Sequence, residues 1–254
     1  MKKKLFYGNF NRVRPKSEQI KIEKIQTQAD GSTSIFLNGI NVFEIQEETQ
    51  AITWGKLLYS RLHDFCNEDK IKEIKENCNP PELFYYDIVD GYINILWNDL
   101  KKSCHEKADA EKHFFELYCE VCHFLCDHIG QQVADLPALI PSVHINWECI
   151  PGNREKPCTV DFVFKSPKFG TNNLVIVEID GASHYAEYVR KDNYYSCNED
   201  KYVEHLKKDR WLRKQGFQVF RIGNSEIENI VKLPGQERID SFYEFLQEVF
   251  GISI

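Results

Sequence analysis

Apolar and polar positions change their period several times along this chain, and each change predicts an element. "TSIFLNGINVFEI" alternates on both sides of Asn38-Gly39. That predicts two strands joined by a tight turn, because both turn residues tolerate the positive φ of type I′. "TWGKLLYSRLHDFC" spaces Trp54, Leu57, Leu58, Leu62 and Phe65 at helical intervals. "NPPELFYYDIVDGYINILW" opens on a double proline and carries Asp90-Gly91 between two β-rich runs, which predicts a second hairpin. Residues 1–105 thus read as a small α+β region, and they contain no catalytic motif.

From position 106 the pattern becomes bolder. "EKHFFELYCEVCHFLCDHIG" predicts a long helix stopped by Gly130. "SVHINWEC", "CTVDFVF" and "NLVIVEID" then predict three strands, the first two separated by the turn-like "IPGNREKP". A charged helix ends near "HLKKDRWLRKQG", with Gly216 as its stop. "FQVFRI" is a fourth strand, followed by closing helices in "NSEIENIVK" and "ERIDSFYEFLQEVF", the first capped by Asn224 or Ser225. The order over residues 106–254 is α-β-β-β-α-β-α, an α/β domain whose mixed central sheet is flanked by helices, behind an N-terminal α+β extension.

Composition narrows the field. The 254 residues carry 42% hydrophobic and 28% charged side chains, ordinary values for a globular chain. The net charge of −7 gives no global basic field, so contact with nucleic acid would need a local basic patch. There are nine cysteines, an odd number in a chain this long. With no apolar leader after "MKKKLFYGNF" and no apolar run of about 20 residues, the expectation is a cytoplasmic protein with reduced thiols and no membrane span.

The chemistry gathers where strands stop. Side chains on a strand alternate between faces, so Glu178 and Asp180 share one face of "LVIVEID" while Val175, Val177 and Ile179 take the other. Asp161 lies within "CTVDFVF". If these strands pair, Asp161, Glu178 and Asp180 converge, and each raises the pKa of the others. A divalent cation, Mg2+ or Mn2+, would offset the repulsion, because hard cations prefer carboxylate oxygens. Such an ion can polarise a phosphodiester and generate hydroxide. His184 follows on the turn as a proton carrier. Lys201, Lys207, Lys208 and Arg210 on the next helix are candidates for holding phosphates.

These residues resemble a known family. "VDFVF … LVIVEIDGASHY … KKDRWLRKQGFQVFRI" is similar to the very-short-patch-repair-like endonucleases of the PD-(D/E)XK superfamily, through Asp161, Glu178-Ile179-Asp180-Gly181, His184, Asp209, Leu212, Gly216, Phe217, Val219 and Arg221. The resemblance covers residues 106–250. It implies a restriction-endonuclease-like αβββαβ core, a divalent metal held by Asp161, Glu178 and Asp180, and cleavage of DNA, as a single chain or as a homodimer. It also implies a carboxylate on the first core helix, for which Glu111 is the choice and Glu116 and Glu120 are alternatives. The chain departs from the superfamily in two ways. Asp180 stands where an E-x-K lysine is usual, which leaves the lysine's task to His184 or to a lysine on the following helix. "AEYVRKDNYYSCNEDKY" looks like an insertion, a substrate loop or lid.

Plainer readings exist for each feature. Glu178 and Asp180 can form ion pairs with Arg221 or a lysine and hold no metal. The lysine-rich helix can be a solvated face, since its cations alternate with Glu199, Asp200, Glu204 and Asp209. Cys119, Cys122 and Cys126 fall on one helical face near His113 and His123, but a lone helical C-x-x-C is a poor tetrahedral zinc site, so buried reduced thiols are expected. No glycine-rich phosphate loop, G-x-S-x-G or H-E-x-x-H is present, which argues against a kinase, protease or oxidoreductase. The alternative to a nuclease is a catalytically silent module that keeps the fold and binds DNA or protein, and a third option is a structural component of a larger assembly, joined through the N-terminal α+β region.

Overall fold

The run Val175–Ile179 is buried from end to end, because its strand lies between two others and beneath helices on both faces. The structure is a computed structural model and describes residues 5–8, 22–27, 33–37, 40–45, 52–61, 69, 86–106, 108–130, 132–146, 158–165, 174–191 and 193–250. The strands are β1 (Leu5–Gly8), β2 (Ile22–Thr27), β3 (Thr33–Leu37), β4 (Ile40–Ile45), β5 (Ile140–Ile145), β6 (Cys158–Phe164), β7 (Val175–Asp180), β8 (Ala186–Val189), β9 (Tyr194–Cys197) and β10 (Gln218–Gly223). The helices are α1 (Trp54–Ser60), α2 (Tyr86–Lys101), α3 (Asp109–Ile129), α4 (Glu199–Lys214), α5 (Asn224–Val231) and α6 (Gly235–Phe250).

Eight strands form one sheet in the order β10-β7-β6-β5-β1-β4-β3-β2, and β8 pairs with β9 as a separate hairpin. Only β10 and β7 run parallel; the other neighbours are antiparallel, so the sheet is mixed. A parallel pair needs a crossover, and the segment from β8 through α4 supplies it. β1 lies between β4 and β5, so the sheet runs across the 105/106 boundary drawn from the sequence pattern. The core does likewise: Trp54 of α1 and Trp97 of α2 sit edge to face at 5.5 Å, and Trp54 also meets Phe115 of α3 at 6.3 Å.

Helix α3 packs its apolar stripe on one face of the sheet. Phe114 meets Phe162 of β6 at 5.2 Å and Phe242 of α6 at 5.4 Å, which binds α3 and α6 into one layer. Helix α4 lies on the opposite face, with Leu212 fully buried. Gly130 ends α3 at φ 69° and Gly216 follows α4 at φ 90°, both left-handed conformations that glycine adopts without strain.

Several expectations need correction. The proposed hairpin at Asp90-Gly91 is the interior of α2. Ile93, Leu96, Trp97 and Leu100 are buried at helical spacing, and their packing outweighs the cost of about 1 kcal/mol for a mid-helix glycine. The first closing helix takes Gly223 as its N-cap rather than Asn224 or Ser225, and Glu226 Oε1 accepts the Gly223 N–H at 2.7 Å. The "SVHINWEC" strand begins earlier, at Ile140. Its residues 147–149 lie outside the described residues, as do the turn at 38–39 and the helical positions Leu62 and Phe65. β3 and β4 pair with Leu37 opposite Ile40, the register that a two-residue connection requires. The suspected insertion is mainly the β8–β9 hairpin.

Candidate metal centre

The β6–β7 ladder pairs Phe164 with Val175, Val163 with Ile176 and Phe162 with Val177, and there it ends. The next N–H on β7 that turns towards β6, from Ile179, would be left without a strand partner. Asp161 Oδ2 accepts it at 2.7 Å. The carboxylate thus replaces a ladder bond and is held in the plane where the strands part. Among the described residues its Oδ1 accepts no hydrogen bond. Across β5, the register sets Ser142 opposite Asp161, and Ser142 takes a left-handed φ of 51°. Its hydroxyl donates to Ser103 O at 2.5 Å, turned away from the ladder. A non-glycine residue held there costs about 1 kcal/mol or more, so the strained backbone and the carboxylate stand side by side.

Glu178 is 1% exposed. It lies on the α4 side of β7, and Lys208 of α4 donates to Oε1 at 2.8 Å and to Oε2 at 2.7 Å. Burial raises its pKa, and Asp161 raises it further, while Lys208 and Arg221 act against both. Asp161 is likewise raised by burial and then by Glu111, while the Ile179 N–H, Lys208 and His184 pull it down. Glu111 is raised mainly by burial, with the His105 N–H bonding its Oε2 at 3.2 Å and opposing the shift. Lys208 is desolvated, yet Glu178 outweighs that and holds its ammonium charged. The ion pair therefore stands: Lys208 acts on Asp161 and Glu178, whereas Glu111 feels His184 and Lys112, and burial still leaves all three carboxyls raised.

Asp180 belongs to a second, separate frame. Arg221 of β10, one strand over and paired with Glu178 in register, donates NH1 to both Asp180 oxygens at 2.8 and 2.9 Å. The same guanidinium donates Nε and NH2 to Asp209 Oδ1 at 2.9 and 2.7 Å. His184 Nδ1 stands 2.9 Å from Asp180 Oδ1. Burial pushes the Asp180 carboxyl up, but the bonds from His184 and Arg221 win and leave it below the usual range. Its bond to Asp180 raises the His184 pKa against burial, whereas burial and then Arg221 lower that of His205. The His184 and His205 rings lie 4.9 Å apart, and Asp180, His184 and His205 bring their ligand atoms within 4.8 Å of one another. Arg221 already occupies both oxygens of that Asp180, and a guanidinium repels a cation placed there.

The remaining candidates are placed as follows. Among the acidic candidates on α3, Glu116 pairs with Lys101 and Glu120 with Arg238, at 3.0 Å, while Glu111 is the one that acts on Asp161. Lys208 points inward at Glu178. Lys207 is exposed and lines a cleft beside α4, and Arg210 is exposed on the helix surface. Lys201 Nζ donates to Ala186 O at 3.0 Å. Cys122 is buried with its thiol pushed up to about 12, and Cys119 is also raised by burial. Among the described residues no cysteine joins a metal-binding group.

Two participants escaped the sequence reading: His205 and Ser142. His205, Lys208, Asp209 and Leu212 recur at i, i+3, i+4 and i+7, one helical face turned to the sheet, so the first had a visible signal. Ser142 had none, since backbone strain leaves no mark on composition. No family model matches the chain, and neither curated proteins nor solved structures yield a similar one. No described helix is long and apolar enough to cross a membrane.

Proposed function

We propose that the protein is a metal-dependent endonuclease that hydrolyses DNA phosphodiester bonds, built on a restriction-endonuclease-like core. The order α3-β5-β6-β7-α4-β10 supports that core. One observation carries the function: Glu111 acts on Asp161 and Asp161 on Glu178, and all three buried carboxyls are pushed up. Buried carboxyls that raise one another are the donor set that a hard cation satisfies.

The donor set fits Mg2+ or Mn2+. Among the described residues Asp161 Oδ1 accepts no bond, and each Glu178 oxygen accepts one bond from Lys208 and retains a second lone pair. Asp161 and Glu178 would hold the ion, with Glu111 beside them. When bound, the ion supplies Lewis acidity at the phosphate and a lowered pKa for its water. Lys208 does the work expected of the missing strand lysine: it stands at the carboxylates and neutralises charge at the phosphate. His184 moves a proton at its free ring nitrogen, and Asp180 and Arg221 fix its orientation rather than binding metal. Lys207 and Arg210 meet the nucleic acid outside the pocket.

The plainer reading has its own support. Lys208 already bonds Glu178, and Arg221 bonds Asp180, as in a protein that keeps the fold as a binding module. Supercoiled duplex and circular single-stranded DNA, each incubated with Mg2+ or Mn2+, separate the two. Nicking that EDTA and Asp161→Ala both abolish is expected. Absence of cleavage with either ion, alongside chelator-insensitive DNA binding, would sink the nuclease.

A further inference from the structure

The β8–β9 hairpin stands off the main sheet and begins two residues after His184. Its root is tied down: Asn198 N donates to Tyr185 O at 2.9 Å, and Lys201 Nζ reaches Ala186 O at 3.0 Å. The outer part is aromatic. Among the described residues, Tyr185, Tyr188, Tyr194 and Tyr195 are each about half exposed, and the hairpin exposes no large aliphatic side chain. Tyr188 and Tyr195 face each other in register, with ring centroids 5.3 Å apart. The Tyr188 hydroxyl donates to Asn193 Oδ1, and Asn193 takes a left-handed φ of 55°. The Tyr188 ring is thus held in place, tilted 57° to that of Tyr195, with the exposed cations Arg190 and Lys191 beyond it on the hairpin.

The hairpin root borders the site. His184, at the hairpin root, lies 4.9 Å from His205. His205 in turn lines a cleft of about 720 Å³ with Lys207, Lys208, Trp211 and Thr159. Glu204 and Cys158 complete its lining, and the hairpin root approaches the cleft through the His184–His205 contact.

We propose that the hairpin and this cleft take a single strand of nucleic acid, Tyr188 and Tyr195 stacking its unpaired bases and Lys207 with Lys208 holding its phosphates. The proposal rests on the nuclease reading of the site it borders and narrows the substrate to strands with unpaired bases. Stacking suits the chain's charge. With −7 overall the chain offers no global attraction to phosphates, whereas base–ring stacking does not depend on net charge. It also suits the geometry, because every base offers a flat face and the ring pair is already ordered.

The test measures binding in EDTA, with a labelled oligothymidylate of about 12 nucleotides and a fully paired duplex of the same length. The parent is expected to bind the single strand more tightly. Tyr188→Ala with Tyr195→Ala is expected to weaken single-strand binding by about tenfold or more and leave duplex binding unchanged. The corresponding Phe pair is expected to retain binding. Thermal melts check that the exposed substitutions leave the fold intact. A parent that ignores the oligonucleotide, or an alanine pair that binds like the parent, overturns the proposal, including the case in which the hairpin serves another protein. Since EDTA silences cleavage, the two readings fail separately. Binding without cleavage in Mg2+ or Mn2+ removes the nuclease and leaves the platform; cleavage with tyrosine-independent binding does the reverse.

Discussion

Lys208 reaches from α4 across to β7 and bonds both carboxylate oxygens of Glu178, at 2.8 and 2.7 Å. The glutamate is sealed from water while the lysine's side chain keeps 26% of its exposure, so the pair joins a buried charge to one at the rim of a cleft.

Removing the lysine leaves an uncompensated carboxylate beside Asp161. Lys208→Met is expected to cost about 3–5 kcal/mol at pH 8. At pH 5 Glu178 carries a proton, and most of that cost disappears. Urea unfolding at the two pH values checks this, and an equal cost at both would show that the charge pairing is unimportant.

Asp161→Asn separates stability from chemistry. The amide oxygen still accepts the Ile179 N–H, while one of the mutually repelling charges is gone. Metal-free stability at pH 8 is expected to rise by about 1 kcal/mol, and cleavage to fall at least about 100-fold. A thermal melt and a nicking assay on one preparation decide it.

Stability of the metal-free protein should fall as pH rises. Asp161 is raised to about 6 and Glu178 to about 7, so the folded chain keeps protons that the unfolded chain has released. The unfolded state binds fewer protons through that window, and the slope of unfolding free energy with pH is negative. Asp180 and His205, with lowered pKa values, act oppositely: Asp180 at the acid end, below the usual carboxylate range, and His205 just below the usual imidazole range, where two raised carboxylates act against one imidazole. The melting temperature is therefore expected to drop between about pH 4.5 and pH 7. Mn2+ should restore it at pH 7.5 and not at pH 5, because the ion binds the ionised carboxylates. A metal effect of equal size at both pH values would contradict the assignment.

Arg221 bridges Asp180 and Asp209 with a planar fork, and an ammonium cannot span both. Arg221→Lys is expected to cost about 1–3 kcal/mol. Cleavage should slow through misplacement of His184, while oligonucleotide binding in EDTA stays at the parental level. Weakened binding with normal turnover would place Arg221 on the substrate instead.

The alternation in β6 and β7 made much of the site legible in advance. Glu178 and Asp180 had to share a face, and the apolar run of β7 had to lie inside, whatever surrounded them. The helical spacing around Glu111 and the stop at Gly130 were equally local, and both appear in α3. Where local signals conflicted, the sequence misled: Asp90-Gly91 spells a turn, yet α2 forms because Ile93, Leu96, Trp97 and Leu100 find a core to pack against. That core includes α1 and α3, far along the chain, so no short window could weigh it.

By itself the sequence determined which side chains share a strand face or a helix stripe, because periodicity is a property of the local backbone. The tertiary structure alone decided which charges meet. Glu178 and Asp180 look equivalent on one strand, but the first finds Lys208 on α4 and the second Arg221 on β10. Coulomb interactions act over a few ångströms of space irrespective of sequence separation, so the division into a charge-poor carboxylate cluster and a neutralised arginine frame exists only once the crossover from β7 to β10 has closed.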